Sequence, residues 1–315
     1  MNKLNDRNLL GLFLQYFKIR EIIELIKKDK YIFNFIIKNK WCISELYYFQ
    51  IHWVKLGYKN IKKLYLYFTY AKQIPKELVN LRELNCIYTE IKYIPKELIN
   101  LKILYCAHTK IKEIPKTLKK LRKLNCSHTK IKEIPKTLIN LRKLKCRRTE
   151  IKEIPEELVN LEYLDCSYTK IKYIPKEFIN LRELKCRGTG IKEIPEELVN
   201  LEYLSCSITL IKYIPKELVN LKKLSCFDTR IKEIPKELIN LKKLICFDTR
   251  IKEIPKELIN LEYLICGIKV EIIPKELVNL KDLNYNLISV FEKDEEGNIL
   301  LNFKLYFFYQ YKNNR

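Results

Sequence analysis

The chain has 315 residues, of which 47% are hydrophobic, and its formal net charge is +23. This length and apolar content allow a large buried core, and only six glycines and eleven prolines exclude collagen and low-complexity disorder. No apolar run approaches the roughly 18–20 residues of a membrane-spanning helix.

Residues 1–55 lack the pattern of the rest of the chain, and we predict a helical N-terminal element there. Their apolar side chains recur at the spacing of an amphipathic helix, and Asp6 can cap the first one. The segment contains Leu4-Asn5-Asp6, then Leu9-Leu10, Phe13, Tyr16-Phe17 and Ile22-Ile23, and further on Phe33 and Trp41. With this run it resembles the F-box, a short helical motif that docks the adaptor subunit of a cullin-based ubiquitin ligase. That resemblance implies an adaptor-binding role for the apolar residues Leu9, Leu10, Phe13, Phe17, Ile19, Ile22 and Ile23. The alternative is a helical cap over the open core of the first repeat.

Residues 56–290 repeat with a period of twenty residues. Proline recurs at this spacing from Pro75 to Pro255, and cysteine does so from Cys86 to Cys266. We count twelve units, which begin at Ile61, at Leu81 and every twentieth residue to Leu261, and at Leu280. A strict period predicts a solenoid whose units bury their apolar sides against their neighbours. Positions below are counted from the first residue of each unit.

Most units begin with the pattern LxxLxCxxTxI, as in residues 141–151, whereas the first and last units carry Leu66 and Tyr285 in place of the cysteine. Leu144 and Cys146 alternate with Lys145, which predicts a short strand with one buried face. At position nine, Thr149 can bond backbone groups of the turn. The pattern resembles the leucine-rich repeat. The resemblance implies an α/β solenoid with a parallel β-sheet on its concave side and short turns on its convex side.

The second part of each unit, such as residues 152–160, is too short for a full helix, and we predict a single turn. Pro155 suits the first position of that turn, because its fixed φ fits and its missing N–H needs no partner. Asn160 suits the end of the turn, since asparagine tolerates the left-handed region.

Ten cysteines occupy position six, and we predict that they form a file of small buried side chains. Because four zinc ligands must converge, a line of thiols along the solenoid axis predicts no metal site. So many free thiols favour an intracellular protein. The near-identical units, rich in Lys, Ile, Asn and Tyr, resemble repeat proteins of large DNA viruses of amoebae, which implies the host cytoplasm.

Residues 291–315 are predicted to form a C-terminal cap. Glu295–Asn298 is a turn signal between apolar segments, which indicates a hairpin or strand pair that seals the last repeat.

No catalytic motif is present, and we predict a non-enzymatic protein without a cofactor that binds a protein partner on the strand side of the solenoid. Positions three, five, seven and eight vary among the units, and they carry the aromatic and arginine side chains typical of interfaces. The candidate residues are Tyr88, Tyr105, His108, His128, Lys143, Lys145, Arg147, Arg148, Tyr163, Asp165, Tyr168, Lys185, Arg187, Tyr203, Phe227, Asp228, Phe247 and Asp248. His108 and His128 share one position in adjacent units and should be neighbours. The basic centre of this set favours an acidic partner.

The net charge leaves an alternative open, in which the chain binds nucleic acid or an anionic membrane surface. Many lysines lie at position twelve, as Lys92 and Lys112 do, and carboxylates such as Glu113 are interleaved with them. Rows of charged residues of this kind usually form a solvent-exposed face, so a nucleic-acid partner is the less favoured prediction.

Overall fold

The computed structural model describes residues 61–66, 71–267, 269–285, 290–293 and 299–302. The predictions made for residues 1–55 therefore lie outside the described residues. The strands in the described ranges, in chain order, are Lys63–Tyr65 (β1), Glu83–Asn85 (β2), Ile103–Tyr105 (β3), Lys123–Asn125 (β4), Lys143–Lys145 (β5), Tyr163–Asp165 (β6), Glu183–Lys185 (β7), Tyr203–Ser205 (β8), Lys223–Ser225 (β9), Lys243–Ile245 (β10), Tyr263–Cys266 (β11), Ile272–Ile273 (β12), Asp282–Tyr285 (β13), Val290–Lys293 (β14) and Ile299–Asn302 (β15).

The chain forms a parallel β-solenoid with one coil per repeat. Strands β1 to β11 and then β13 pair in sequence order within one twelve-stranded sheet, one strand for each predicted unit. Each pair is parallel and in register, so that Leu144 lies beside Leu124 and Leu164. Most strands cover only positions three to five, with the buried leucine of position four between two outward-pointing residues.

The core is a continuous stack of the same six positions from each coil. In the central unit these are Leu141, Leu144, Cys146, Ile151, Ile154 and Leu158, all at most 1% exposed. They join their counterparts along the solenoid in one hydrophobic cluster. Because a single coil covers its apolar side only with the coils before and after it, stability comes from stacking.

Two tight turns build the return path, and the structure has no helix in the ranges that it describes. The backbone N–H of Leu158 donates to the carbonyl of Pro155 at 3.1 Å, and that of Leu161 donates to the carbonyl of Leu158 at 3.1 Å. Proline fits where predicted, because only its carbonyl takes part in the turn. The sequence analysis predicted a single turn here, and that prediction is wrong because the return path contains two.

The prediction for the asparagine at the end of each unit is also wrong. Asn160 is not left-handed; its side-chain amide donates to the carbonyl of Ile139 in the preceding coil at 2.9 Å. The left-handed residue is at position eight, directly after the strand. Asparagine therefore ties neighbouring coils together, a role that its local turn preference does not indicate.

Position nine behaves as predicted. The hydroxyl of Thr149 is buried and donates to the carbonyl of Cys146 at 2.7 Å. The same bond recurs in other coils, from Thr89 to Thr249. It supplies a partner to a carbonyl that would otherwise be buried without one.

Near the C-terminal end, β14 and β15 pair antiparallel, and β15 also pairs with β12 at the edge of the solenoid. This strand pair flanks the residues for which the sequence indicates a turn. The three strands form a separate small sheet, of order β12-β15-β14.

Candidate functional site

We call the outward residues at positions three, five, seven and eight the strand face. Positions three and five flank the buried leucine of each strand and point away from the core, and positions seven and eight follow in the next turn. All eighteen residues predicted to bind a partner lie on this face, and each is exposed or half-buried.

A left-handed backbone at position eight lets the ladder between coils continue past the strands. Eight non-glycine residues there have φ between 52° and 57°, and Gly188 has φ 66°. The backbone N–H of Arg148 donates to the carbonyl of Ser167 in the next coil at 3.0 Å, and that of Tyr168 donates to Arg187 at 2.7 Å. Side chains at position eight are therefore held one above another at the spacing of the coils.

The N-terminal part of the strand face is an aromatic stack. The ring of His108 lies 4.3 Å from that of Tyr88 and 4.1 Å from that of His128, with interplanar angles of 16°. The prediction that the two histidines are neighbours is confirmed. Partial burial lowers the pKa of His128, and the nearby His108, Arg148 and Arg147 lower it further because they disfavour a second positive charge.

The centre of the strand face combines cations with tyrosine rings. The guanidinium carbons of Arg147, Arg148 and Arg187 lie 5.0, 5.3 and 5.8 Å from the centre of the Tyr168 ring. These are cation–π distances, and such contacts hold the long arginine side chains in place. We call these three arginines and Tyr168 the arginine cluster.

Beside the arginine cluster, Lys185 lies between two tyrosines, 5.2 Å from the ring of Tyr163 and 5.1 Å from that of Tyr203. Its ammonium donates to the Tyr163 hydroxyl at 3.3 Å and pairs with Glu183 at 3.0 Å. Partial burial lowers the pKa of Lys185, but these two partners outweigh it and the net pKa is raised. This lysine is therefore charged and already has an anionic partner.

The C-terminal part of the strand face is aromatic and acidic. The rings of Phe227 and Phe247 stack at 4.5 Å, and Asp228 and Asp248 follow them at position eight. Arg187 reaches this region as well, since its guanidinium carbon lies 4.8 Å from the Phe227 ring.

Sequence reasoning missed two features of this face. Lys243 lies 3.9 Å from the ring centre of Tyr263, although neither was among the predicted residues. Both occupy position three, as do Lys143 and Tyr203, which were predicted to bind a partner. The shared repeat position could therefore have identified Lys243 and Tyr263 as well. Gly188 was also missed, although glycine at a position where the other units carry side chains signals a special backbone or a close contact.

A groove with a volume of about 2860 Å³ runs along the return path of the coils. It is lined by positions thirteen to seventeen, such as residues 233–237, which carry the nearly constant Ile-Pro-Lys-Glu sequence. We place the candidate site on the strand face instead, because that face carries the variable aromatic and arginine residues.

Burial keeps the thiols of the cysteine file neutral. The ten cysteines in the described ranges are buried, and those from Cys86 to Cys246 are free thiols. Burial raises the pKa of Cys86, Cys126 and Cys206 to about 12, so that these thiols are neutral at physiological pH. The described residues contain no group of three or more His, Cys, Asp or Glu side chains that could hold a metal ion. They also contain no helix with the length and apolarity that crossing a membrane requires.

No family profile and no curated protein matches the chain. Solved structures, in contrast, do match it. A leucine-rich-repeat protein of Leptospira interrogans matches with a TM-score of 0.55 at 26% identity, over 66% of this chain and 67% of that chain. The fold is that of leucine-rich-repeat proteins.

Two other solved structures share this fold. The functional domain of InlJ from Listeria monocytogenes, which includes a cysteine ladder, matches with a TM-score of 0.53 at 20% identity, over 66% of this chain and 58% of that chain. The plant peptide hormone receptor RGFR1 in complex with RGF2 matches with a TM-score of 0.50 at 22% identity, over 72% of this chain and 51% of that chain. At these identities the likeness concerns the fold alone.

Proposed function

We propose that the chain is a non-enzymatic protein-interaction module that binds its partner on the strand face. The observation that carries this proposal is the contrast between a nearly constant scaffold and a face of ordered aromatic and arginine side chains. Such side chains contribute most of the energy in protein interfaces, and stacking reduces the entropy that binding would cost. A solved neighbour of the same fold, RGFR1, is itself in complex with RGF2.

Site-specific photo-crosslinking tests which face binds. Tyr88 on the strand face and Tyr93 on the return side belong to one coil and are 47% and 50% exposed. A photoreactive phenylalanine analogue replaces one or the other in the full chain, expressed in cells. We expect a discrete cross-linked protein from position 88 and none from position 93. Equal yields from both, or cross-links from position 93 alone, would contradict the proposal.

We also propose, from the sequence resemblance of residues 1–55, that the module is the substrate receptor of a cullin-based ubiquitin ligase. In this proposal Leu9, Phe13 and neighbouring apolar residues bind the ligase adaptor while the strand face holds the substrate. The test is co-purification of the full chain with a eukaryotic F-box-binding adaptor, beside a chain that lacks residues 1–45. Capture that does not depend on residues 1–45 would remove the ligase role and leave the interaction module.

A further inference from the structure

Three guanidinium groups lie around the Tyr168 ring at the centre of the strand face. Within the described part of the chain, Arg147, Arg148 and Arg187 form no ion pair with a carboxylate and donate no side-chain hydrogen bond to the protein. The Nε atom of Arg187 is buried and has no hydrogen-bond partner. Arginines at position two of the same coils differ, since Arg142 pairs with Glu162 at 3.1 Å and Arg182 with Glu202 at 3.3 Å.

Tyr168 brings the three arginines together, because each lies within cation–π distance of its ring. Gly188 makes room for that ring. A Cβ atom added at Gly188 would lie 2.7 Å from the Cδ1 atom of Tyr168, closer than real contacts allow. Arg187 is fixed on its other side by the Phe227 ring. The rings of Tyr168 and Phe227 thus position these arginine side chains on the strand face.

Positive charges placed around one ring repel one another, and the buried Nε–H of Arg187 is unfavourable without an acceptor. A bound anion removes both costs at once. The lowered pKa of His128 reports the same excess of positive charge, since Arg148 and Arg147 contribute to it. The chemistry that fits is an oxyanion with more than one negative charge and several acceptor atoms.

We propose that the arginine cluster binds a phosphoryl group on a side chain of the protein partner. A phosphorylated side chain carries nearly two negative charges and three strong acceptor oxygens, and the planar fork of arginine matches this geometry. The inference rests on the proposed function and deepens it, because it names the feature of the partner that the strand face recognises.

The surroundings of the cluster favour one phosphoryl group over the backbone of a nucleic acid. Asp165 and Glu183 lie among the cations at positions five and three, and Asp228 and Asp248 occupy position eight further along. A polyanion requires a basic track over many phosphates. These carboxylates interrupt such a track beside the cluster and on its C-terminal side.

The test measures binding of the full chain to fluorescent peptide pools by anisotropy. The pools have random flanks around one central residue, which is phosphoserine, phosphothreonine, phosphotyrosine, an unphosphorylated counterpart or glutamate. We expect at least one phosphorylated pool to bind about tenfold more tightly than its unphosphorylated counterpart. The variant with R147Q, R148Q and R187Q should lose this preference. The control variant with R142Q and R182Q, which removes ion-paired arginines of the same coils, should keep it.

A second measurement uses inorganic phosphate as the probe and the imidazole NMR signals of His128 as the readout. Phosphate in the cluster would offset the charges of Arg147 and Arg148 and raise the pKa of His128, whereas chloride at equal ionic strength would not. In the triple arginine variant the pKa of His128 should start higher and respond to phosphate no more than to chloride.

Three results would overturn the inference. They are equal binding of phosphorylated and unphosphorylated pools, equal loss in the triple and control variants, or tighter arginine-dependent binding of a single-stranded RNA twenty-mer than of any peptide pool. The first two leave the proposed function standing if photo-crosslinking still proceeds from position 88 and not from position 93. Failure of the cross-linking itself would instead remove the proposed function.

Discussion

Raising the pH from 8 to 10 should destabilise the solenoid through its buried cysteines. Cys86, Cys126 and Cys206 have a pKa raised to about 12 by burial, against an ordinary thiol value of 9.0. Because the folded-state pKa is the higher one, this stability is fully present below pH 9 and is lost as the pH rises toward 12. At pH 10 most unfolded-state thiols are ionised while the folded-state thiols are not, which costs about 1.4 kcal/mol of unfolding free energy per thiol.

Three such thiols together should remove about 4 kcal/mol, a large share of the stability of a typical domain. The assay is urea unfolding followed by far-UV circular dichroism at pH 8 and at pH 10. The matched variant combines C86A, C126A and C206A. It is less stable at both pH values because alanine leaves small cavities, but its loss between pH 8 and pH 10 should be smaller by about 4 kcal/mol.

Lysines and tyrosines also titrate in this range, but they are the same in both proteins and cancel in the comparison. Equal losses between pH 8 and pH 10 in the parent and in the variant would refute the reasoning. That result would mean that the thiols do not lie neutral in the core, and the orientation of every strand would have to be reconsidered.

Three further predictions concern single side chains. Ile208 adopts φ 56°, a conformation that costs a β-branched residue about 1–2 kcal/mol. The variant Ile208→Asn should therefore raise the thermal midpoint of unfolding. The control Ile239→Asn, at an exposed position without positive φ, should not raise it. Thr149→Val removes the buried bond to the Cys146 carbonyl and should cost about 1–2 kcal/mol in urea unfolding; Thr137→Val, which removes a solvent-exposed bond, should cost less, and equal costs would contradict the buried role. Because the folded-state pKa of His128 is lowered from 6.5, the stability of the folded chain should fall as the pH drops below about 6.5. If the thermal midpoint of His128→Asn falls with pH as steeply as that of the parent chain, this prediction is contradicted.

Much of the fold could be predicted because each coil repeats the same local pattern. Alternation of Leu144, Lys145 and Cys146 specifies one buried face, and the period of twenty specifies which residues are neighbours. The contact between His108 and His128 followed from that period alone. The asparagine of each unit was predicted wrongly because turn preference is a local property, whereas the amide of Asn160 bonds to another coil.

For the candidate site, the sequence determined which side chains face outward and along which line they lie. The eighteen residues of the strand face were named from repeat positions, since the pleat of a strand and the stacking period are properties of the chain itself. Which of them meet was decided by the tertiary structure. Arg147 and Arg187 are two coils apart, and they share Tyr168 only because the left-handed turns align position eight and Gly188 leaves space for the ring. Such convergence depends on side-chain volume and register across several coils, which no single unit of the sequence contains.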